Sequence, residues 1–190
     1  MADILGKLFG SSARIKILRL FLLNPEKAFD KDTISKRSKV NYRETGRELA
    51  SLSEIDLIRS KSKDNQKNWQ LNQAFAFIEP LKLLLVNTVP FKREELLKRL
   101  RPVGRIKLIV VSGLFIHRDD SRTDLLVVGD EIKKKTLENV IHTMESEIGR
   151  EISYGVFDTK DFQYRLGIYD KFVRDVLDYP HEKILDKLGL

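Results

Sequence analysis

Apolar positions in the first ninety residues follow helical spacing three times and strand spacing once. Ile15, Ile17, Leu18, Leu20, Phe21 and Leu22 come after Ser11-Ser12 and stop at Asn24-Pro25. Serine before such a run and proline just past it predict a capped, mostly buried helix. Residues 30–40 form a second short helix, with Asp30 or Asp32 as cap and Ile34 and Val40 turned inward. Asn41 with Glu44 three residues on is a capping pattern that opens a third helix through Glu54. On that helix Thr45, Glu48, Leu49 and Leu52 share one side, and Tyr42, Arg43, Gly46, Arg47 and Ala50 share the other. Residues 56–61 then read as a strand, 62–67 as a polar turn centred on Asp64-Asn65, and 68–72 as the return strand, with Trp69 and Leu71 alternating.

Beyond the hairpin, residues 75–87 are rich in Leu, Phe and Val, with Pro80 at a helix start or kink. A second helix covers 91–100 and closes at Arg101-Pro-Val-Gly104. The runs 106–111 and 125–128 are almost wholly apolar, as in strands covered on both faces. Residues 131–148 form an amphipathic helix through Ile132, Leu137, Val140, Ile141, Met144 and Ile148. A third strand over 151–158 and short helices over 159–166 and 170–177 complete the chain. The expected fold is α+β. Three helices and a hairpin come first, in a domain over 1–88, and a small α/β domain with a short mixed sheet follows over 89–190.

Composition narrows the chemistry. The 190 residues include no cysteine, which excludes a disulfide scaffold, a thiolate zinc site and a cysteine nucleophile. Three scattered histidines (His117, His142, His181) speak against an all-protein zinc site. No apolar run reaches the ~18–20 residues of a membrane span, and the first residues lack a signal-peptide pattern. The chain reads as cytoplasmic, with no membrane partner and no cofactor. Residues 1–90 carry 16 Lys and Arg against 10 Asp and Glu, whereas 91–190 carry 19 against 18. Almost the whole net charge of +7 therefore lies in the first half, which suits a polyanionic partner.

Gly10-Ser-Ser-Ala-Arg-Ile-Lys-Ile-Leu-Arg19, Gly46-Arg-Glu-Leu-Ala-Ser-Leu52 and Asp56-Leu-Ile58, in this order, resemble the ArsR-like winged helix-turn-helix transcriptional regulators of prokaryotes. The resemblance covers residues 10–72 and implies binding to double-stranded DNA. Helix 41–54 would enter the major groove, where Arg reads guanine and Asn reads adenine. The candidate contacts are Lys36, Arg37, Asn41, Tyr42, Arg43 and Arg47, with Arg59, Lys61, Lys63 and Lys67 on the wing. Gly46, lacking a side chain, would allow close approach. The apolar segment Leu81–Val86 offers a dimer element, so a homodimer is expected.

The second half resembles the minimal nucleotidyltransferases of the polymerase-beta-like superfamily over 104–190. The resemblance is carried by Asp124-Leu-Leu-Val-Val-Gly-Asp130, Gly149-Arg-Glu-Ile152, Tyr154-Gly-Val-Phe-Asp-Thr-Lys-Asp-Phe162 and Phe172-Val-Arg-Asp-Val-Leu177. It implies a Gly-Ser phosphate turn, two Asp at i, i+2 holding Mg²⁺, and a third carboxylate. This chain departs at each point. Gly113-Leu114 stands at the turn, Arg122 stands two residues before Asp124, and Asp119 and Asp120 are adjacent. Gly113, Leu114, Arg122 and Asp124 thus read as a vestigial nucleotide site, with Arg122 repelling a metal. The implied role is a catalytically inactive domain for dimerisation, or for binding an effector, either a protein or a small molecule. The alternatives are an active nucleotidyltransferase that modifies a protein or RNA, and a toxin–antitoxin-like protein-interaction module.

Overall fold

The computed structural model describes residues 4–63, 66–85, 91–116, 118 and 121–190. Its architecture is α+β, with helices around two separate small sheets. Contacts divide the chain into two units, one of residues 1–90 with 142–151 and one of 91–141 with 152–190. Several expected features lie outside the described residues: the Asp64-Asn65 turn centre, His117, Asp119, Asp120, and the stretch 86–90 with Val86 and the expected boundary. The side chain of Lys63 is likewise outside the description.

The first unit runs α1 (Ile4–Leu8), α2 (Ser12–Leu22), β1 (Phe29–Asp30), α3 (Lys31–Ser38), α4 (Tyr42–Glu54), β2 (Ile58–Lys63), β3 (Gln66–Leu71) and α5 (Ile78–Leu85). Local chemistry sets the helix starts. Ser11 accepts the Arg14 N–H, Asp30 the Thr33 N–H and Asn41 the Glu44 N–H. The Thr33 bond also holds the Asp30 carboxyl below its usual pKa. The core forms where α2, buried nearly all round, meets Ile34, Leu49, Leu52, Leu57 and Ile58. On α4 the buried residues are Thr45, Glu48, Leu49 and Leu52, the face that the spacing predicts. Glu48 is tied to the start of α2, accepting from Ser11 Oγ at 2.7 Å and Arg14 Nε at 2.8 Å.

The hairpin forms, but its first strand covers Ile58–Lys63 rather than 56–61. Asp56 takes a left-handed φ of 58° and so cannot continue a strand. β3 pairs antiparallel with β2 on one side and with β1 on the other, aligning Phe29 with Trp69. β1 and α1 have no counterpart in the sequence reading. Two and five residues are too short to show a period.

Residues 142–151 join this unit through polar contacts that only tertiary structure reveals. The guanidinium of Arg19, a residue 8% exposed, donates to the main-chain oxygens of Leu85 at 2.7 Å and Glu147 at 2.8 Å. The Asn24 amide donates to Leu20 O and Gly149 O. Gly149 has φ of 90°, and a Cβ there would lie 2.5 Å from the main chain of Arg19.

The second unit contains α6 (Arg93–Leu100), β4 (Arg105–Val111), β5 (Leu125–Asp130), the start of α7 (Lys134–Ile148), β6 (Tyr154–Phe157), α8 (Thr159–Gly167), α9 (Lys171–Leu177) and β7 (Glu182–Asp186). The sheet order is β6-β5-β4-β7. Only the β5–β6 pair is parallel. On one sheet face Leu108, Val110, Leu126 and Val128 pack against Phe162 of α8 and Val173 and Val176 of α9. Here too the observed bounds differ from those expected. α7 begins at Lys134, because Glu131 takes φ of 55°, which leaves Ile132 outside the helix. β6 is confined to four residues. β7 has no counterpart in the sequence reading, since Ile184 is the one buried side chain of its charged five-residue run.

Candidate nucleic-acid interface

The face of α4 opposite the core presents Tyr42, Arg43, Arg47 and Ala50, all exposed. Tyr42 is 54% exposed. Arg43 and Arg47 make no ion pair among the described residues, and neither does Lys36 on α3. Asn41, by contrast, is engaged in its own helix. Its Oδ1 accepts the Glu44 N–H at 2.9 Å and its Nδ2 donates to Glu44 Oε2 at 2.8 Å. Its amide is therefore spent on the cap rather than offered to a base.

Gly46 has a different use from the one the sequence suggests. A Cβ at this position would lie 2.8 Å from Lys31 Nζ. That ammonium sits 3.6 Å from the centroid of the Tyr42 ring, a cation–π contact. The bare backbone of α4 thus admits the lysine at the start of α3. Sequence reasoning misses Lys31 because nothing local links residue 31 to residues 42 and 46.

Arg37 is half-buried, 5.2 Å above the Phe29 ring and 3.3 Å from Glu151. It is a structural cation rather than a member of the α4 face. On the hairpin, Arg59 forms a fork with Asp56 at 2.9 and 2.7 Å. The bond raises the arginine's pKa and lowers the carboxyl's. Lys61 and Lys67 are exposed, and Lys67 Nζ lies 5.2 Å from the Trp69 ring. Of the candidate contacts and Lys31, those without an acidic partner among the described residues are therefore Lys31, Lys36, Arg43 and Arg47 on the helices and Lys61 and Lys67 on the hairpin.

In the second unit, Gly113, Leu114 and Asp124 meet at one end of the sheet. Asp124 is 9% exposed. Its Oδ1 accepts the Leu114 N–H at 2.8 Å and its Oδ2 accepts the Ser153 N–H at 2.9 Å. Gly113 has φ of 51°, and a Cβ there would lie 2.3 Å from Asp124 Oδ1. The carboxylate thus ties two loops together through main-chain donors. Arg122 precedes β5 and points elsewhere, pairing with Asp175 of α9 at 3.1 Å. The charge repulsion expected from Arg122 therefore gives way to an ion pair. Among the described residues no group of three His, Asp or Glu side chains could hold a metal ion, and no helix is long and apolar enough to cross a membrane.

Comparison with protein-family models, with curated proteins and with solved structures gives no match to this chain.

Proposed function

We propose that this protein is a DNA-binding transcriptional regulator. The first unit acts as a winged helix-turn-helix with α4 as the reading helix and the β2–β3 hairpin as the wing. One observation carries the reading: α4 buries one face and presents Arg43 and Arg47, unpaired by any described acid, on the other. Guanidinium groups so placed can make paired hydrogen bonds to guanine. Lys31, Lys61 and Lys67 supply charge for phosphates, which fix register without reading sequence. Duplex sequences selected from a random pool by the full chain test this. Arg43→Ala and Arg47→Ala should each cost ~1–3 kcal/mol on the selected site and relax base preference. Lys61→Ala should weaken all sequences alike and reduce the salt slope by about one unit. Equal losses on selected and random duplex for both groups of variants would overturn the assignment.

The second unit, in this reading, is a nucleotidyltransferase-like domain without transfer activity that serves dimerisation or effector binding. Supporting this, both oxygens of Asp124 are occupied by main-chain donors, and Leu114 offers no hydroxyl to a phosphate turn. Two-metal transfer requires several carboxylates converging on the ions. No Mg²⁺-dependent labelling of the protein or of RNA from any nucleoside triphosphate is expected. Scattering mass in solution tests the dimer; the mass of a single chain at micromolar concentration would rule it out.

A further inference from the structure

The second unit holds a groove of about 670 Å³ on the side of the sheet facing α7. This is a size that small-molecule and peptide sites commonly have. It lies away from Gly113 and Asp124, neither of which lines it. Its floor is apolar, made by Leu137 of α7 with Tyr154 and Val156, alternate residues of β6. Gly155 between them faces the other way, toward the Phe172 ring. Around the floor stand Glu131, Glu138, Asp158 and Asp161, against the single ammonium of Lys134. This rim is acidic on a chain whose net charge is +7. The groove also runs along a sheet edge. β6 pairs with β5 and with no other strand, so its outer main-chain groups have no partner among the described residues.

We infer that this groove binds an extended peptide carrying Lys or Arg at alternate positions, added as a strand beside β6. The free edge supplies main-chain hydrogen bonds, and the alternation of the added strand sends every second side chain over the floor. Long basic side chains suit this floor and rim together: their methylene stems cover Tyr154, Val156 and Leu137 while their charged heads reach the carboxylates. The same carboxylates repel phosphate, so a nucleotide or nucleic acid is the wrong occupant. Glu138 and Asp158 make no ion pair among the described residues, but Asp158 accepts the Asp161 N–H as the cap of α8, whereas Glu131 pairs with Arg105 and Asp161 with Arg165. Glu138 is accordingly the rim residue on which recognition turns. The inference is independent of DNA binding by the first unit.

The test uses the full chain and fluorescein-labelled eight-residue peptides whose alternate positions are mixtures of Lys and Arg, of Asp and Glu, or Ser alone. The remaining positions are mixtures of Val, Ile and Tyr. Anisotropy should show the basic set binding at least tenfold more tightly than the other two. Glu138→Lys, a change on an exposed helix position, should remove that preference. N-methylation at every second amide should cost tenfold or more in one register and little in the other, because only one set of N–H groups faces β6. Equal losses in both registers would reduce the effect to diffuse charge attraction and overturn strand addition. Arginine amide competing as well as the peptide would make this an amine site and overturn the peptide. Absence of a basic preference would overturn the proposal outright.

Discussion

Lys31 lies 3.6 Å from the centroid of the Tyr42 ring, in space that a side chain on residue 46 would fill. Glycine inside a helix costs roughly 0.5–1 kcal/mol relative to alanine, so a destabilising residue is retained where a cation crosses the outer face of α4. Gly46→Ala gains that helix term but loses the Lys31–Tyr42 contact, worth about 0.5–1 kcal/mol at an exposed site, so thermal stability should change little although the displaced atom is only the mobile end of a lysine. In the proposed regulator the same change should weaken duplex binding, because Lys31 leaves the ring. Thermal unfolding and a duplex titration of one variant measure both effects.

The Gly149 turn should tolerate no side chain. Its φ is 90°, and the main chain of Arg19 would stand 2.5 Å from a Cβ on this residue, which leaves no room for one. Gly149→Ala should destabilise the first unit by about 2 kcal/mol or more, through backbone strain and overpacking together. Trp69 is the single tryptophan and lies in this unit, so its fluorescence reports the transition. A fragment ending at residue 90 should unfold more readily for a related reason: it loses the Glu147 acceptor of the buried Arg19 guanidinium.

Asp124→Asn should destabilise the second unit, because its amide nitrogen would have to face one of two main-chain N–H donors, Leu114 or Ser153. The expected cost is about 1–3 kcal/mol. Gly113→Ala should act in the same direction by pushing on the same carboxylate. Circular dichroism should show an earlier transition in both variants while Trp69 fluorescence holds its midpoint.

Acid should weaken the second unit through Asp130. The Lys107 ammonium, at 2.8 Å, is the main reason the Asp130 carboxyl is held at about 2, with a smaller contribution from Thr159. The folded value lies below the ordinary one of about 4, so this stabilisation is complete above that pH and is lost as pH falls through about 2. Lys107→Met should lower the melting temperature at neutral pH and flatten its fall between about pH 4 and 2. The melting curves of the two proteins should converge at the acid end.

Much of the first unit was legible along the chain because its signals are local. A cap is a side chain bonding three residues ahead, so Ser11, Asp30 and Asn41 mark the starts of α2, α3 and α4 without reference to the rest of the fold. The buried face of α4 follows from helical period alone, and the apolar runs of β4 and β5 announce strands covered on both sides. The short elements were illegible: β1 and β7 are defined by the strands they pair with, and their own residues show no pattern of length sufficient to identify them.

The candidate interface divides along the same line. Sequence determined that Arg43 and Arg47 share the outer side of α4, because residues four apart on a helix must lie near one another. Which cations remain available was decided by tertiary structure, because ion pairing depends on distance through space. Arg37 went to Glu151 and Arg122 to Asp175, partners 114 and 53 residues away, whereas Lys31 rests on the ring of Tyr42 with its charge unpaired by any described acid. The acidic groove beside β6 belongs to the same class. Glu131, Glu138, Asp158 and Asp161 form no pattern along the chain, and they surround one apolar floor only because β5, α7 and β6 fold side by side.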